Sequence, residues 1–408
     1  MSSAVVGTDV KTSPSGRGRW RMARVGEVFE IQQGKALSAA ARTATNTYAF
    51  LRTINVHWNR IDLTKVDRMG MSDSERARLN LQSGDLLVCE GGEIGRAAVW
   101  KGELSECSFQ NHIHRLRPKT QIEPAFFAYW FRYAFTMTNL YEGTGTQTTI
   151  ANLSSGRLGA LQIPVPSFDE QQQIARILST IVQLESQTAT SLARKRELAD
   201  SVIDAVLEEE RHASHIRPLV ELTAENRPIC YGILKPGPDI ADGVPYIRVV
   251  DYPQNLIKAD GVRRTSREIA QQYRRSVLQT GDVLISIRGT FGRVAHVPPQ
   301  LDGANITQDT ARISVSPNHN ARFVYHYLSS RPAQRFMRES AVGVAVKGVN
   351  IGDLRQMPIP VPPRERQDKL VGVMDAVTAS VRAEEDSLAA TKSLLAAAMA
   401  SFFRKLET

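Results

Sequence analysis

Three cysteines are all that 408 residues carry, and Cys89, Cys107 and Cys230 lie far apart. No Cys-x-x-Cys spacing occurs, which excludes a zinc ribbon or a disulfide framework and leaves free thiols in a reducing compartment as the expectation. Missing too is any apolar run long enough to cross a bilayer. The opening stretch, Met1 to Trp20, holds Ser, Thr, Gly and basic residues without an apolar signal core. It reads as a flexible leader, residues 1–21, on a cytoplasmic protein. Acid is the scarcer charge: 51 Lys and Arg against 42 Asp and Glu leave a formal +9, a balance that suits a polyanionic partner.

Signatures of chemistry are absent as well. The nearest approach to a phosphate loop, Gly343 to Gly348, lacks the Lys-Ser/Thr pair that binds nucleotide, and Gly143-Thr144-Gly145 is too short for a dinucleotide fingerprint. There is no Asn/Asp-Pro-Pro-aromatic methyltransferase motif. His112 and His114 alternate on one strand face, and His212 and His215 lie three apart, but two ligands without a third make no metal site. No catalytic residue, metal or cofactor is expected in this chain.

What the sequence does have is itself, twice. Leu81-Gln82-Ser83-Gly84-Asp85-Leu86-Leu87-Val88 returns as Leu278-Gln279-Thr280-Gly281-Asp282-Val283-Leu284-Ile285. Next comes Gly92-Glu93-Ile94-Gly95-Arg96 in one copy and Gly289-Thr290-Phe291-Gly292-Arg293 in the other. Phe50 to Asn55 upstream matches Tyr246 to Asp251, and Ile163-Pro164-Val165-Pro166 downstream matches Ile359-Pro360-Val361-Pro362. Each copy, 22–166 and 217–362, mixes β-rich runs such as Asp85 to Val88 and Asp282 to Ile287 with short helices. Ser72-Asp73-Ser74-Glu75 and Thr265-Ser266-Arg267-Glu268 are capping-box patterns opening such helices. The expected fold class is α/β (α+β), as two similar globules.

After each Ile-Pro-Val-Pro the pattern turns purely helical, over 167–210 and 363–406. The first seam runs Ile174, Leu178, Ile181, Glu185, Thr188, Leu192, Lys195, Ala199, Val202, Val206. The second runs Leu370, Met374, Val377, Val381, Glu384, Leu388, Thr391, Leu395, Ala398, Phe402. Steps of four and three are the spacing of helices packed side by side, here expected to be antiparallel partners of roughly 55 Å each at about 1.5 Å per residue. Polar seam positions cost stability but fix register.

With the repeat in view, the chain resembles the specificity subunit of type I restriction–modification systems. The resemblance covers nearly everything from Met22 onward. It rests on the Gly-Asp strand followed by Gly-x-x-Gly-Arg, on Gln110-Asn111 and Gln308-Asp309 entering a strand, and on the Ile-Pro-Val-Pro-to-helix junction. That junction leads into Glu170-Gln171-Gln172 in one copy and Glu365-Arg366-Gln367 in the other. The resemblance implies two target-recognition domains, separated by the helices, that read an asymmetric bipartite site on double-stranded DNA. It also implies two methyltransferase subunits using S-adenosylmethionine and two restriction subunits using ATP and magnesium. Two other readings stay open: a DNA enzyme with fused recognition domains, and a coiled-coil adaptor that never touches DNA.

Base reading needs donors and acceptors at groove edges, and positioning needs cations along phosphates. Arg96 and Arg293 recur in both copies, which should read different bases, so bracing the domain or contacting phosphate is favoured for them. Positions that differ are the better candidates for specificity. Arg288 replaces Gly91 beside the turn and is suited to grip a guanine edge. Thr144, Gln147, Thr148 and Thr149 sit where the other copy has Lys347 and Asn350. Gln110, Asn111, Gln308 and Asp309 either face bases or cap strands. The basic run Arg194-Lys195-Arg196 is either a solvated helix face or a contact for partners.

Overall fold

Each copy of the repeat begins and ends on a single antiparallel ribbon. Arg21–Arg24 pairs with Gln162–Val165, and His215–Pro218 pairs with Pro358–Val361. The Ile-Pro-Val-Pro motif is the closing strand of that ribbon in both cases. A computed structural model of the chain describes residues 20–138, 141, 153–253, 255–343 and 347–404. The expected leader, apart from its last two residues, lies outside the described residues.

Between the ribbon strands each copy builds the same two sheets. In the first copy a four-stranded antiparallel sheet has the order Phe29–Gln33, Ile113–Pro118, Leu86–Cys89, Ala97–Val99. In the second the order is Cys230–Tyr231, Thr310–Ile313, Val283–Ser286, Val294–His296. A three-stranded sheet accompanies each. Thr47–Leu51 lies antiparallel to Asp67–Gly70 and parallel to Ser108–Phe109, as Val244–Ile247 lies beside Arg264–Thr265 and Asn305–Ile306. The Gly-Asp strands Leu86–Cys89 and Val283–Ser286 are buried along their whole length. This explains their unalternated apolar sequence, because both faces of the strand are covered.

Asp85 and Asp282 start those strands and do the same work. The carboxylate of Asp85 accepts from the Gln82 amide at 2.7 Å, and that of Asp282 from the Gln279 amide at 2.8 Å. Each buried carboxylate is then neutralised, but by arginines from different places. Arg117 reaches Asp85 at 2.7 Å from the neighbouring strand, whereas Arg227 reaches Asp282 at 2.9 Å from the loop before Cys230–Tyr231. A buried carboxylate needs such a cation, and either route satisfies it.

Local signals fared well, with one shift. Ser72 caps Asp73–Leu79 in a full capping box with Glu75. In the second copy the cap is Ser266, whose hydroxyl accepts from the Ile269 amide, and Thr265 belongs to the preceding strand. Glu268 is therefore one place too early to close the box.

The two long helices run Phe168–Ala213 and Arg364–Phe403, 46 and 40 residues. At about 1.5 Å per residue these are rods of roughly 69 and 60 Å, longer than expected. The chain divides into two compact units, Met1–Thr188 with Ser387–Thr408, and Ala189–Asp386. Each helix is thus shared, part with one unit and part with the other.

Within the first unit Ile174, Leu178 and Leu395 join one core with Phe126, Phe127 and Trp130. Within the second the helices run antiparallel: Lys195 pairs with Glu384 at 2.5 Å and Glu210 with Arg366 at 2.8 Å. The expected seams hold through Ala199 and Leu395, then slip by one residue. Ile203, Val206 and Leu207 meet the second core, and Met399 and Phe403 are buried where Ala398 and Phe402 are half-exposed. A straight α-helix drifts about 20° per seven residues against a strict heptad, so a seam written in sevens must slip near the end of a long helix.

Candidate nucleic-acid interface

The turn after each Gly-Asp strand is where the two copies agree in backbone and differ in surface. Gly95 and Gly292 donate their amides to Cys89 and Ser286 at 3.1 and 2.8 Å, closing equivalent turns. Both adopt positive φ, 78° and 88°, and both sit tight against a helix: a Cβ would meet the Phe135 ring at 2.3 Å or Gln334 at 2.4 Å. The positive φ favours glycine at both, and at Gly95 the Phe135 ring also leaves no room for a side chain.

Arg96 and Arg293 follow those glycines, and their side chains turn inward. Arg96 donates from Nη2 to the Thr53 carbonyl at 2.5 Å, and Arg293 from Nη1 to the Val249 carbonyl at 3.2 Å. Thr53 and Val249 are themselves equivalent, each opening a 3-10 turn held by an Asn55 or Asp251 side chain. These arginines tie the two sheets together in each domain.

The exposed positions diverge. Gly91 leaves one turn bare; Arg288 stands at the same place in the other, solvent-exposed, with the Gln308 side chain 3.5 Å away. Arg288 bridges in backbone to Gly348, and Gly289 donates to the Lys347 carbonyl at 3.2 Å. Arg288, Gln308 and exposed Lys347 therefore form one cluster with no carboxylate paired to either cation among the described residues. Asn350 is exposed at the start of Ile351–Arg355, and its side chain makes no capping bond. Its counterpart Ser154 caps Ser155–Ala160. Thr144, Gln147, Thr148 and Thr149 lie outside the described residues, as does Gly143-Thr144-Gly145.

Backbone bonding corrects the pairing of the amide residues. Asn111 donates to Lys35, and Gln308 to Ile233, which is Lys35's counterpart; Gln110 is matched by Thr307. Asn111 is thus equivalent to Gln308, and His112 to Asp309. Gln110 and Asn111 are half-buried, as are Gln308 and Asp309.

Beside Asn111 the first domain carries a feature that spacing alone did not reveal. The nearly buried carboxylate of Glu90 accepts from Gln33 Nε2 at 3.2 Å and lies 3.9 Å from both His112 and His114. His114 is fully buried, with Nε2 2.9 Å from the Leu153 carbonyl, and burial holds its pKa below the usual value despite Glu90. The second domain has Ile287 and Tyr231 at the places of Glu90 and Gln33. The first domain's turn sets a nearly buried carboxylate beside Gln33, Asn111 and His112, while the second presents guanidinium and ammonium donors.

The remaining singled-out residues serve the scaffold. Lys195 and Arg196 pair with Glu384 and Glu385 of the other helix. His212 is exposed beside Glu208. Gln171 and Gln367, buried at the helix starts, clamp the junction identically. Gln171 donates to Pro166 and accepts from the Glu123 amide, both at 2.9 Å; Gln367 does so with Pro362 and Asn320 at 2.8 Å. Among the described residues no three His, Cys, Asp or Glu come together as a metal site, and no helix is long and apolar enough to cross a membrane.

Two equivalent mixed domains, joined by helices and differing at their exposed turns, match one family profile. The type I restriction modification DNA specificity domain fits residues 18–194 and again 232–391. The chain belongs to that family. A type I restriction enzyme specificity subunit, EcoBI of Escherichia coli, is 30% identical over 294 residues, which spans 64% of this chain and 61% of the relative. The S subunit of a type I restriction–modification system from M. genitalium superposes with a TM-score of 0.58 at 15% identity, over 95% of this chain and 96% of the other. A chain from another solved type I R-M system gives 0.54 at 16%, over 93% and 96%. At such identities these likenesses establish the fold.

Proposed function

We propose that the chain is the DNA-recognising specificity subunit of a type I restriction–modification complex, acting in the cytoplasm with no catalytic chemistry of its own. Each domain reads one half of an asymmetric bipartite site. The two methyltransferase subunits supply S-adenosylmethionine-dependent adenine methylation, and the two restriction subunits supply ATP- and magnesium-dependent cleavage.

One observation carries the asymmetry: a common hydrogen-bonding register that ends in turns of opposite chemistry. Arg288 with Lys347 offers donors to an acceptor edge, and guanine N7 and O6 present such an edge in the major groove. Glu90 with Gln33 and Asn111 offers acceptors and amides, which suit the exocyclic amines of adenine or cytosine. Identical scaffolds with different tips make two different half-sites.

The test is to map methylated adenines in a host genome with and without this gene, then with residues 217–362 replaced by the corresponding domain of a relative. The motif should vanish without the gene and change in one half only after the swap. Changes in both halves would refute two independently reading domains.

A further inference from the structure

The second domain holds a concave basic site far from its recognition turn. Arg227, Arg274, Arg275 and Arg312, with Asn226 and Gln279, line a cavity of about 370 Å³. No carboxylate lines it. The one acid at its back, Asp282, is fully engaged, accepting from Arg227, the Gln279 amide and Ser314. Arg274 and Arg275 are exposed and form no ion pair with any described residue.

Arg312 is 2% exposed and gives its two terminal nitrogens to the Val277 and Pro228 carbonyls. Its Nε has no hydrogen-bond partner. Burial holds its pKa below the usual value, and the neighbouring Arg227 pulls the same way. Crowding guanidiniums at a surface costs free energy unless an anion comes to sit among them.

The first domain keeps a buried arginine here with an equally unpartnered Nε, but supplies it with an acid. There Arg115, the counterpart of Arg312, pairs with Glu30 at 3.2 Å, and Arg117 closes on Asp85. Strand register puts Pro228 at the place of Glu30. The second domain has lost that acid, and Arg227 stands in for Arg117, whose register position holds Ser314.

We infer that Arg274 and Arg275 bind a phosphate group at the mouth of this cavity, with the positive charge of Arg227 and Arg312 behind them. Planar guanidinium forks match phosphate oxygens bidentately, and several converging on one cavity is the arrangement that anion recognition uses. The site lies at the opening end of Val283–Ser286, while Arg288 lies past its closing end. Six residues of extended chain at about 3.3 Å each separate them by roughly 20 Å. It is therefore a second contact, independent of base reading, and does not rest on the assignment of Arg288. The phosphate belongs either to a nucleic-acid backbone or to a soluble phosphate compound.

Arg274→Ala/Arg275→Ala in the full chain separates these, since both side chains are exposed and their loss should spare the fold. The probes are inorganic phosphate, read as a rise in melting temperature, and a random-sequence 30-base-pair duplex, read as affinity across a salt series. Binding to a backbone predicts that the variant loses the phosphate effect and that its salt slope falls by about 0.9 for each contact removed. A soluble ligand predicts loss of the phosphate effect with an unchanged duplex slope. Arg274→Lys/Arg275→Lys should restore the salt slope, which counts charges, but only part of the phosphate effect, which needs the fork. A variant that matches the wild type with both probes, or a wild type that responds to neither, overturns the site.

Discussion

Arg293 and Arg288 lie five residues apart and flank one turn, yet their removal should have opposite signatures. Arg293→Ala deletes a charged donor to the Val249 carbonyl, and Arg96→Ala does the same to Thr53 in the first domain. A hydrogen bond to a charged group contributes about 1.5–3 kcal/mol, so each variant should unfold at distinctly lower denaturant. The Arg96 variant should lose more, because its side chain is only 16% exposed and its bond is the shorter at 2.5 Å. Arg288 is exposed and its guanidinium forms no ion pair with any described residue, so Arg288→Ala should shift stability by no more than about 0.5 kcal/mol. Its cost should appear on DNA: about 1–3 kcal/mol, roughly 5- to 150-fold, at one base pair of one half-site. Denaturation curves with binding to duplexes carrying single substitutions through both half-sites measure both effects. An Arg288→Ala protein weakened equally on every duplex would make Arg288 a phosphate contact. An Arg293→Ala protein of unchanged stability and lost binding would overturn the bracing role.

Other expectations follow from the same geometry. Phe403 is fully buried against Trp20, Phe126, Trp130 and Tyr133, so Phe403→Ala should cost about 3–5 kcal/mol, read as an early unfolding transition of the first unit. Gln367→Ala leaves the Asn320 amide and Pro362 carbonyl unpaired and should cost about 1–3 kcal/mol by chemical denaturation, with Gln171→Ala matching it. Burial lowers the pKa of both His114 and His326, the latter even though Asp375 lies 2.7 Å away. The unfolded chain therefore binds more protons below pH 6.5, so stability should fall as pH drops through 6.5 towards the lowered values. Asp375, whose own pKa is lowered, loses its contribution only at more acid pH. A flat stability profile between pH 7 and 5.5 would refute the histidine contribution.

Much of the fold was legible because its signals are local. Gly84-Asp85 and Gly281-Asp282 mark strand starts by their own chemistry, and Ser72 with Glu75 closes a cap within four residues. The Ile-Pro-Val-Pro motifs mark the end of each domain because proline must leave the ribbon for the helix. Positions fixed by distant partners were less visible. Gln110-Asn111 looks like Gln308-Asp309, and only the bonds to Lys35 and Ile233 reveal that the match is displaced by one. The inward turn of Arg96 and Arg293 depends on carbonyls more than 40 residues upstream. The setting of Glu90 needs Gln33 and His114 brought together by strand pairing. Seam positions failed where geometry accumulates, at Val202 and Phe402, and held where it had not yet done so.

The first unit is discontinuous: its last helical piece, Ser387 onward, follows the entire second unit. Leu395, Met399 and Phe403 fill its core. On a ribosome the second unit therefore emerges whole, while the first, although begun earlier, lacks a wall. At about 5–20 residues per second, the missing piece arrives about 200 residues, or roughly 10–40 s, after Thr188. Throughout that interval Phe126, Trp130 and their neighbours have no aromatic plug, and the nascent chain is exposed to aggregation or chaperone capture. Synthesis order and folding order are thus inverted. A premature stop near residue 386 would silence the domain encoded first and spare the one encoded second.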